Sequence, residues 1–236
     1  MIQSFRIAEQ LNLSIIICHD AFYVSHAVEP VLVPAQGLVD EFLPPIHLQH
    51  RLDPGLGASV GSNAEQVVWR QNRVDMAASM DEALTVATEC SSEWARISGR
   101  EQCGIIELYR CVDAKLIFVT MGSMCGTVRD TVDMLREQGQ PAGLLKVKLF
   151  RPFPTSALRE ALNGVPHVIV LDRNYSPGMG GVLHQELRSA LYGVARPPAV
   201  HGLLAGVGGV SVSPEQLMDQ AVRIPGTVPS FTSEWV

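Results

Sequence analysis

The chain has 236 residues, a formal net charge of -6, 47% hydrophobic residues and 18% charged residues. These values are typical of a globular protein of one or two domains, and they argue against intrinsic disorder. The acidic balance argues against nucleic acid as a partner. Since no apolar run is long enough to span a membrane and the N-terminus lacks a signal-peptide pattern, we expect a cytoplasmic protein that does not bind membranes.

The first hundred residues contain three different patterns. Apolar spacing over the first eleven residues predicts an amphipathic helix, and Leu13–Cys18 has the composition of a buried strand. The region Val31–Gly61 is rich in proline and glycine, which predicts an extended connector. An apolar stripe within residues 64–100 predicts a long helix. Because a buried strand needs neighbours, Leu13–Cys18 either pairs with a later sheet or is completed by another chain.

From Ile105 onward, predicted strands alternate with predicted helices. The continuous apolar run Leu116–Met121 is typical of a strand buried on both faces, and a helix is predicted directly after it. The further predicted strands are Ile105–Tyr109, Gly143–Lys148, His167–Leu171 and Val200–Ala205, and the predicted helices are Met124–Gln138, Thr155–Leu162, Val182–Leu191 and one that Ser213 caps. This alternation predicts an α/β fold with an open, mostly parallel sheet and helices on both faces.

Four loops follow the predicted strands: Gly122–Thr127, Phe150–Pro154, Asp172–Gly181 and Gly206–Ser211. Loops at the carboxyl ends of strands carry function in open α/β sheets. Glycine lets the backbone approach a ligand closely, and helix N-termini attract anions. None of the loops matches the dinucleotide-binding or P-loop spacing. Two interpretations of these loops stay open: they are tight turns needed for packing, or they contact a ligand or another subunit. The first is favoured.

The cysteines do not form a recognisable metal or disulfide pattern. Their number is odd and no two are spaced C-x-x-C, which disfavours a disulfide framework, a zinc site or an iron–sulfur cluster held by this chain alone. Cys125 follows a strand at a predicted helix N-terminus, a position that lowers a thiol pKa. A nucleophilic cysteine needs a base, which His167, His184 or His201 could supply in space, but the sequence shows no such pairing. Without a visible base, a structural thiol is favoured.

Three other pairs of residues have spacing of interest. Adjacent residues on a strand face opposite ways, so we expect no direct bond within Ser25-His26 and a histidine that orders the loop after Asp20. His47-x-x-His50 has metal-ligand spacing if helical, but no third ligand is in view. Asp172-Arg173 lies at a strand end, where a structural ion pair is favoured over contact with a ligand.

These motifs together resemble a known family. The matching segments, in chain order, are Asp20–Val31, Val39–Pro44, Met121–Thr127, Gly143–Pro154, Leu171–Gly181 and Gly206–Glu215. The ordered set covers nearly the whole chain and resembles the alpha subunit of pyruvate:ferredoxin oxidoreductase, also called pyruvate synthase, a thiamine-diphosphate enzyme. Ala21 departs from the family pattern, which usually has glycine after this aspartate.

The resemblance implies a domain organisation. Residues 1–45 would be the C-terminal remnant of the family's pyrimidine-binding domain, most of which this chain lacks. Residues 46–103 would be a proline- and glycine-rich, helical connector. Residues 104–236 would form a transketolase C-terminal-like domain.

The resemblance also implies a reaction for an assembled complex. Pyruvate and CoA would give acetyl-CoA and CO2 with reduction of ferredoxin, using thiamine diphosphate, Mg and iron–sulfur clusters, none held by this chain alone. The implied partners are the missing alpha N-terminal domain and the beta, gamma and delta subunits. No catalytic residue and no metal ligand is carried over to this chain, and its cofactor-binding residues stay unknown. Pyruvate is favoured over 2-oxoisovalerate, 2-oxoglutarate or oxalate by the motifs Gly122–Thr127 and Phe150–Pro154.

As a subunit of this enzyme, the chain would act as a scaffold and subunit interface. Two other classes of function stay open. One is a stand-alone, non-catalytic assembly or regulatory module of the same fold. The other is an independent cysteine hydrolase or amidotransferase built on Cys125. Within the subunit hypothesis, we expect Ser25-His26 and Asp172–Asn174 to order an interface near the active site of the complex.

Overall fold

The structure is a computed structural model that describes residues 1–46, 52–57, 61, 63–100 and 104–236. The chain divides into two compact units. The first comprises Met1–Cys18 and Val28–Gly104, and the second comprises His19–Ala27 and Ile105–Val236. Each unit has its own apolar core. The three-part division suggested by the resemblance stays a prediction.

The first unit is helical. It contains α1 (Ile2–Leu11), α2 (Gln36–Phe42) and the long α3 (Gln66–Ser98). Its core joins all three helices. At its centre Phe42 is fully buried and meets the Trp94 ring edge-on at 5.2 Å. Arg6 strengthens this packing by donating to the Phe42 carbonyl oxygen at 2.5 Å. Only the second half of α3 is buried, so the predicted apolar stripe is a core contact over about two to three turns.

Two expectations for the first unit are wrong. Leu13–Cys18 forms no strand, and Ile16 in its middle is 88% exposed. Among the described residues no other segment pairs with it, and an extended segment without a neighbour has no ladder of hydrogen bonds. The proline-rich connector contains α2, since Gln36–Phe42 lies between its prolines and brings Phe42 into the core. Helix-breaking residues therefore bound this helix and do not prevent it.

The second unit is built on a six-stranded sheet. In spatial order the strands are β1, β3, β2, β4, β5 and β6. Their bounds are Ile106–Tyr109 (β1), Leu116–Thr120 (β2), Ala142–Val147 (β3), His167–Asp172 (β4), Ala199–Leu204 (β5) and Glu234–Trp235 (β6). All neighbouring pairs are parallel except β1 with β3. The helices are α4 (Met124–Glu137), α5 (Thr155–Ala161), α6 (Val182–Leu191) and α7 (Pro214–Arg223).

Helices cover both faces of this sheet. On one face, Phe118 and Ile169 pack with residues of α4 and α7. On the other, Ile117 and Val168 pack with residues of α5 and α6. Alternate residues of the same strand thus enter opposite cores, which is why each central strand reads as a continuous apolar run. The predicted fold, an open, mostly parallel sheet with helices on both faces, is confirmed.

Of the two helix caps that were predicted, one is present and the other is not. The predicted Ser213 cap is confirmed: Ser213 accepts from the Gln216 amide at 3.3 Å. The Gln216 side chain accepts in turn from the Ser213 amide at 2.9 Å, which makes the cap a capping box. Thr155, expected to cap α5, is instead its first residue, and no side-chain cap is present.

The two-residue strand β6 was not predicted. No helix in the described part of the chain is long and apolar enough to cross a membrane.

Candidate functional site

The four glycine-containing or aromatic loops singled out in the sequence lie at one edge of the sheet. They follow β2, β3, β4 and β5, which run in the same direction, so their carboxyl ends share this edge. In open α/β sheets this is the edge where ligands bind. We call it the carboxyl edge, and the loops on it determine what the unit offers to a ligand or partner.

Asp20 links a distant segment to this edge. Its Oδ2 accepts a hydrogen bond from the Ser123 amide at 2.5 Å, just before α4 begins. Partial burial alone would raise the pKa of this carboxyl, but the hydrogen bonds from Ser123 and the nearby Arg173 charge together lower it. Gly122 makes the approach possible, since it has a φ of +71° and an added Cβ would lie 2.6 Å from Oδ2.

Arg173 completes the same cluster from the end of β4. Its NH1 donates to the Ser123 hydroxyl at 2.8 Å and lies 3.7 Å from Asp20 Oδ2. The guanidinium also lies 4.5 Å from the centre of the Tyr23 ring, a cation–π contact. The expected structural ion pair at Asp172-Arg173 therefore joins Arg173 to Asp20. We define Asp20, Tyr23, Ser123 and Arg173 as the Asp20 cluster.

Asp172 has a different role because its side chain caps α6. Its two carboxylate oxygens accept from the Leu183 and His184 amides, each at 2.9 Å, and Oδ1 also accepts from the Asn174 side chain. Burial raises the pKa of the Asp172 carboxyl, although these donors favour its charged form. Gly181 is needed beside it, since a Cβ there would overlap the Asp172 carboxylate.

Two of the helix N-termini at this edge, those of α4 and α6, are thus already occupied. Asp20 accepts from the residue before α4, and Asp172 accepts from the first turn of α6. A helix N-terminus attracts an anion because its amides lack partners and its dipole is positive. Here the chain supplies those anions itself, so the packing interpretation of these two loops is the better supported one.

The C-terminal segment supports the α6 end of the edge. Ser233 Oγ accepts from the Gly181 amide at 3.0 Å and lies 3.1 Å from His184 Nδ1. The Phe231 carbonyl accepts from Gln185 and Arg188, and β6 pairs with β5. This segment was not predicted, because a strand of two residues is too short to show a periodic pattern in the sequence.

The Ser25-His26 prediction is corrected by the structure. Ser25 Oγ and His26 Nδ1 lie 2.8 Å apart, so the two side chains do bond each other. The expectation assumed a strand, in which neighbours face opposite ways. Residues 21–26 form turns, and a turn brings adjacent side chains together. Both residues are exposed, and the His26 ring stacks on Phe22 with centroids 4.6 Å apart.

Cys125 does not have the environment of a nucleophile. It is 5% exposed and belongs to the apolar cluster around Phe118. Burial raises the pKa of the Cys125 thiol to about 11, with nearby charges contributing less. The lowering expected from a helix N-terminus is therefore wrong in sign, because desolvation disfavours the thiolate more than the helix favours it.

The remaining loops are well packed or short. After β3, Arg151 pairs with Glu186 at 2.5 Å and lies 4.2 Å over the Phe150 ring. After β5, Gly206 has a φ of +76° and lies against the Arg173 side chain.

In the part of the chain that the structure describes, no group of three or more His, Cys, Asp or Glu residues could hold a metal ion. His47 and His50 lie outside the described residues.

A cleft of about 420 Å³ lies at the opposite edge of the sheet, where Arg110, Cys111 and Lys115 are among the lining residues. Together these features define an α/β module whose conventional ligand edge is stabilised by its own side chains.

Comparison with known proteins then identifies its relatives. Residues 114–217 match the profile of the family described as pyruvate:ferredoxin oxidoreductase core domain II.

Full-length relatives extend the match to nearly the whole chain. It is 34% identical to the pyruvate synthase subunit PorA of Methanothermobacter thermautotrophicus, over 99% of this chain and 60% of that protein. It is 36% identical to the ketoisovalerate oxidoreductase subunit VorA of Pyrococcus horikoshii, over 89% of this chain and 53% of that protein. The chain thus spans a little over half the length of these relatives. The resemblance to the alpha subunit of this oxidoreductase family is confirmed.

A solved structure with a similar arrangement is the 2-oxoglutarate:ferredoxin oxidoreductase from Magnetococcus marinus. It is 16% identical over 69% of this chain and 24% of that chain, with a TM-score of 0.47. The fold class of the second unit rests on its own strand order and on the helices that cover both faces.

Proposed function

We propose that this chain is part of the alpha subunit of a multi-subunit 2-oxoacid:ferredoxin oxidoreductase. In that complex it acts as scaffold and subunit interface and is not catalytic alone. The observation that carries the proposal is the 34% identity over 235 residues to a pyruvate synthase subunit. The complex would convert a 2-oxo acid and CoA to an acyl-CoA and CO2, with electrons passed to ferredoxin. Pyruvate is the preferred substrate. The nearest competitor is 2-oxoisovalerate, because this chain is also 36% identical to a ketoisovalerate oxidoreductase subunit VorA.

The cofactors of the complex would be thiamine diphosphate, Mg and iron–sulfur clusters. The described residues do not fit them: they contain no group of three metal-ligating side chains, and Asp20 and Asp172 already occupy the N-termini of α4 and α6. We therefore assign these groups to companion subunits. The thiamine carbanion chemistry is the cofactor's own.

The partners would be an alpha N-terminal domain and the beta, gamma and delta subunits, in the cytoplasm. The exposed segment Leu13–Cys18 supports association with another polypeptide. Ile15, Ile16 and Ile17 are each at least 39% exposed, and an unpaired apolar segment of this kind is a template for pairing or aggregation. Nucleic acid and membrane surfaces are not proposed as partners.

A stand-alone assembly or regulatory module is the second candidate. It is favoured by the second unit, which has a complete two-faced core of its own. An independent cysteine hydrolase has little support, because the Cys125 thiol is buried and lies in an apolar cluster.

An anaerobic affinity purification of the tagged chain from its own cells tests these candidates. We expect larger subunits in stoichiometric amounts, bound thiamine diphosphate and iron, and pyruvate-dependent reduction of an acceptor. Replacing pyruvate with 2-oxoisovalerate in the same assay decides the substrate. Recovery of the chain alone, without cofactors, would contradict the subunit proposal and support the stand-alone module.

A further inference from the structure

The C-terminal segment, residues 227–236, lies on the surface of the second unit and buries little apolar area. All of its residues are exposed except Ser233 and Val236, which are half-buried. Its strand β6 pairs two residues with β5, and the Val236 amide donates to the Leu204 carbonyl at 3.1 Å. A segment with few buried apolar contacts opens locally at a low cost in free energy. Its attachment therefore depends mainly on polar bonds.

These polar bonds lie on both faces of β5. On the face covered by α6, Ser233 Oγ lies 3.1 Å from His184 Nδ1 and accepts from the Gly181 amide at 3.0 Å. On the face covered by α7, the Glu234 carboxylate pairs with Arg223 at 2.7 Å. Adjacent residues of an extended chain face opposite ways, so the segment is attached to both layers of helices.

His184 is enclosed between β5 and this segment. Its side chain is fully buried, and a Cβ on Gly202 would overlap both its Nδ1 and Ser233 Oγ. Gly202 thus lets the imidazole and the Ser233 hydroxyl approach β5 together. Burial is the main cause that lowers the pKa of His184 to about 4, and the charges of Arg188 and His201 add to it.

His201 is the second buried imidazole beside the segment, on the opposite face of β5. It is 5% exposed, and its Nε2 has no hydrogen-bond partner in the described part of the chain. Burial lowers the pKa of His201 most, and His167 on β4 lowers it further. Glu234 opposes this effect and Arg223 adds to it, both more weakly. The closed arrangement therefore disfavours a proton on His201 as well as on His184.

We propose that the C-terminal segment is a pH-sensitive strap on the β5 side of the carboxyl edge. The strap is closed when His184 and His201 are neutral, and it opens when they take up protons. Opening frees the Gly181 amide at the start of α6 and leaves β5 as an edge strand. The inference concerns the second unit alone, so it does not depend on the proposed function.

Proton linkage gives the direction and the size of the effect. When the strap is open, His184 is in contact with water and its pKa returns to about 6.5, against about 4 when the strap is closed. Below pH 6.5 the open state binds a proton that the closed state does not, so acid favours opening. Between pH 7.5 and 5.5, His184 alone should raise the ratio of open to closed chains about tenfold. His201 acts in the same direction.

Hydrogen exchange of the full chain at pH 7.5 and 5.5, followed by NMR, tests the strap. The quantity compared is the protection factor of the Val236 amide, which corrects the exchange rate for the intrinsic effect of pH. At pH 7.5 we expect less protection of Val236 than of Val170 in the central strand β4, because the segment opens without unfolding of the sheet. At pH 5.5 the protection of Val236 should be about tenfold lower or more.

Three substitutions assign the effect to the buried histidines. His184→Gln should remove most of the fall in Val236 protection, because glutamine does not titrate and still offers a polar atom to Ser233. His201→Gln should remove a further part. His26→Gln is the matched control, since His26 is exposed, and it should keep the full fall. Each variant is compared with itself at the two pH values, so a general loss of stability cancels.

Two outcomes would overturn the strap. Equal protection of Val236 and Val170 at pH 7.5 would mean that the segment opens only when the whole unit unfolds. A Val236 protection factor that is the same at both pH values, or that falls as much in the two buried-histidine variants as in the native chain, would remove the histidines from the mechanism. If His184→Gln does not fold, the native chain and His201→Gln decide the question, because His201 lies on the other face of β5.

Discussion

The Asp20 carboxylate accepts a hydrogen bond from the Ser123 amide, although 103 residues separate them in the chain. This contact places an anion of the chain itself at the start of α4, where the amides are unpaired and the helix dipole is positive. Asp20 therefore joins a short segment to the carboxyl edge and at the same time removes a site at which a ligand phosphate would otherwise bind.

Replacing Asp20 with asparagine removes the charge but keeps the size of the side chain. We expect Asp20→Asn to lower the free energy of unfolding by about 1–2 kcal/mol, the range measured for helix-capping and charge-assisted contacts. Urea denaturation followed by circular dichroism measures the change. Asp219→Asn is the matched control, since Asp219 is exposed on α7. Equal effects of the two substitutions would contradict the capping role.

A side chain at Gly122 should conflict with Asp20. Gly122→Ala adds both the strain of a positive φ and a Cβ at 2.6 Å from the carboxylate. Gly139→Ala adds only strain, because its φ is +77° and no atom lies within 4 Å of its Cβ. We expect Gly122→Ala to cost about 1–3 kcal/mol and clearly more than Gly139→Ala.

The same pair of substitutions can be repeated in an Asp20→Ala chain. Without the carboxylate, the excess cost of Gly122→Ala over Gly139→Ala should disappear, since only backbone strain remains. An excess that persists would show that the close approach of Asp20 is not its cause.

Acid should destabilise the second unit through His184. Burial lowers the pKa of His184 to about 4 from an unfolded value near 6.5. Below pH 6.5 the unfolded chain takes up a proton at His184 that the folded chain does not. The free energy of unfolding therefore decreases as the pH is lowered from 6.5 to about 4. The loss is roughly 3 kcal/mol for a shift of this size.

Denaturation curves at pH 7.5, 6 and 5 measure this dependence. The raised pKa of Asp172 contributes with the opposite sign, because stability from that group falls as pH rises through its folded value. The informative quantity is therefore the difference between the native chain and His184→Gln. A native chain that loses no more stability than His184→Gln between pH 7.5 and 5 would contradict the prediction.

The cysteines should differ in reactivity. With a pKa of about 11, roughly one Cys125 thiol in a thousand is ionised at pH 8, and the side chain is also buried. Cys18 is exposed. We expect iodoacetamide to label Cys18 first and Cys125 only after denaturation, as mass spectrometry of digests would show. Early labelling of Cys125 in the folded chain would revive the nucleophile interpretation.

Ser233 should stabilise the C-terminal segment. Ser233→Ala removes the acceptor of the Gly181 amide and the partner of His184 Nδ1. We expect a loss of about 1–3 kcal/mol, because buried polar groups are left without partners. Ser230→Ala, at an exposed position whose hydroxyl bonds to Thr232, should cost little. Limited proteolysis near the C-terminus gives an independent measure of the release of this segment.

The sequence by itself determined the α/β alternation, the mostly parallel sheet and the family resemblance. These depend on local periodicity and on ordered motifs: Leu116–Met121 has to be a buried strand wherever it lies, and Ser213 with Gln216 forms a capping box within four residues. Such features are local, so each segment carries its own information.

Only the tertiary structure decided which groups meet at the carboxyl edge. Asp20 with Ser123 and Ser233 with His184 are contacts across 103 and 49 residues of the chain, and Asp172 reaches α6 across 11 residues. No periodic pattern encodes these contacts. The same limit explains Leu13–Cys18, whose strand-like composition forms no strand here, and Ser25-His26, which a turn brings together. A strand requires a neighbour, and a side-chain pair depends on the fold around it, so neither can be read from composition alone.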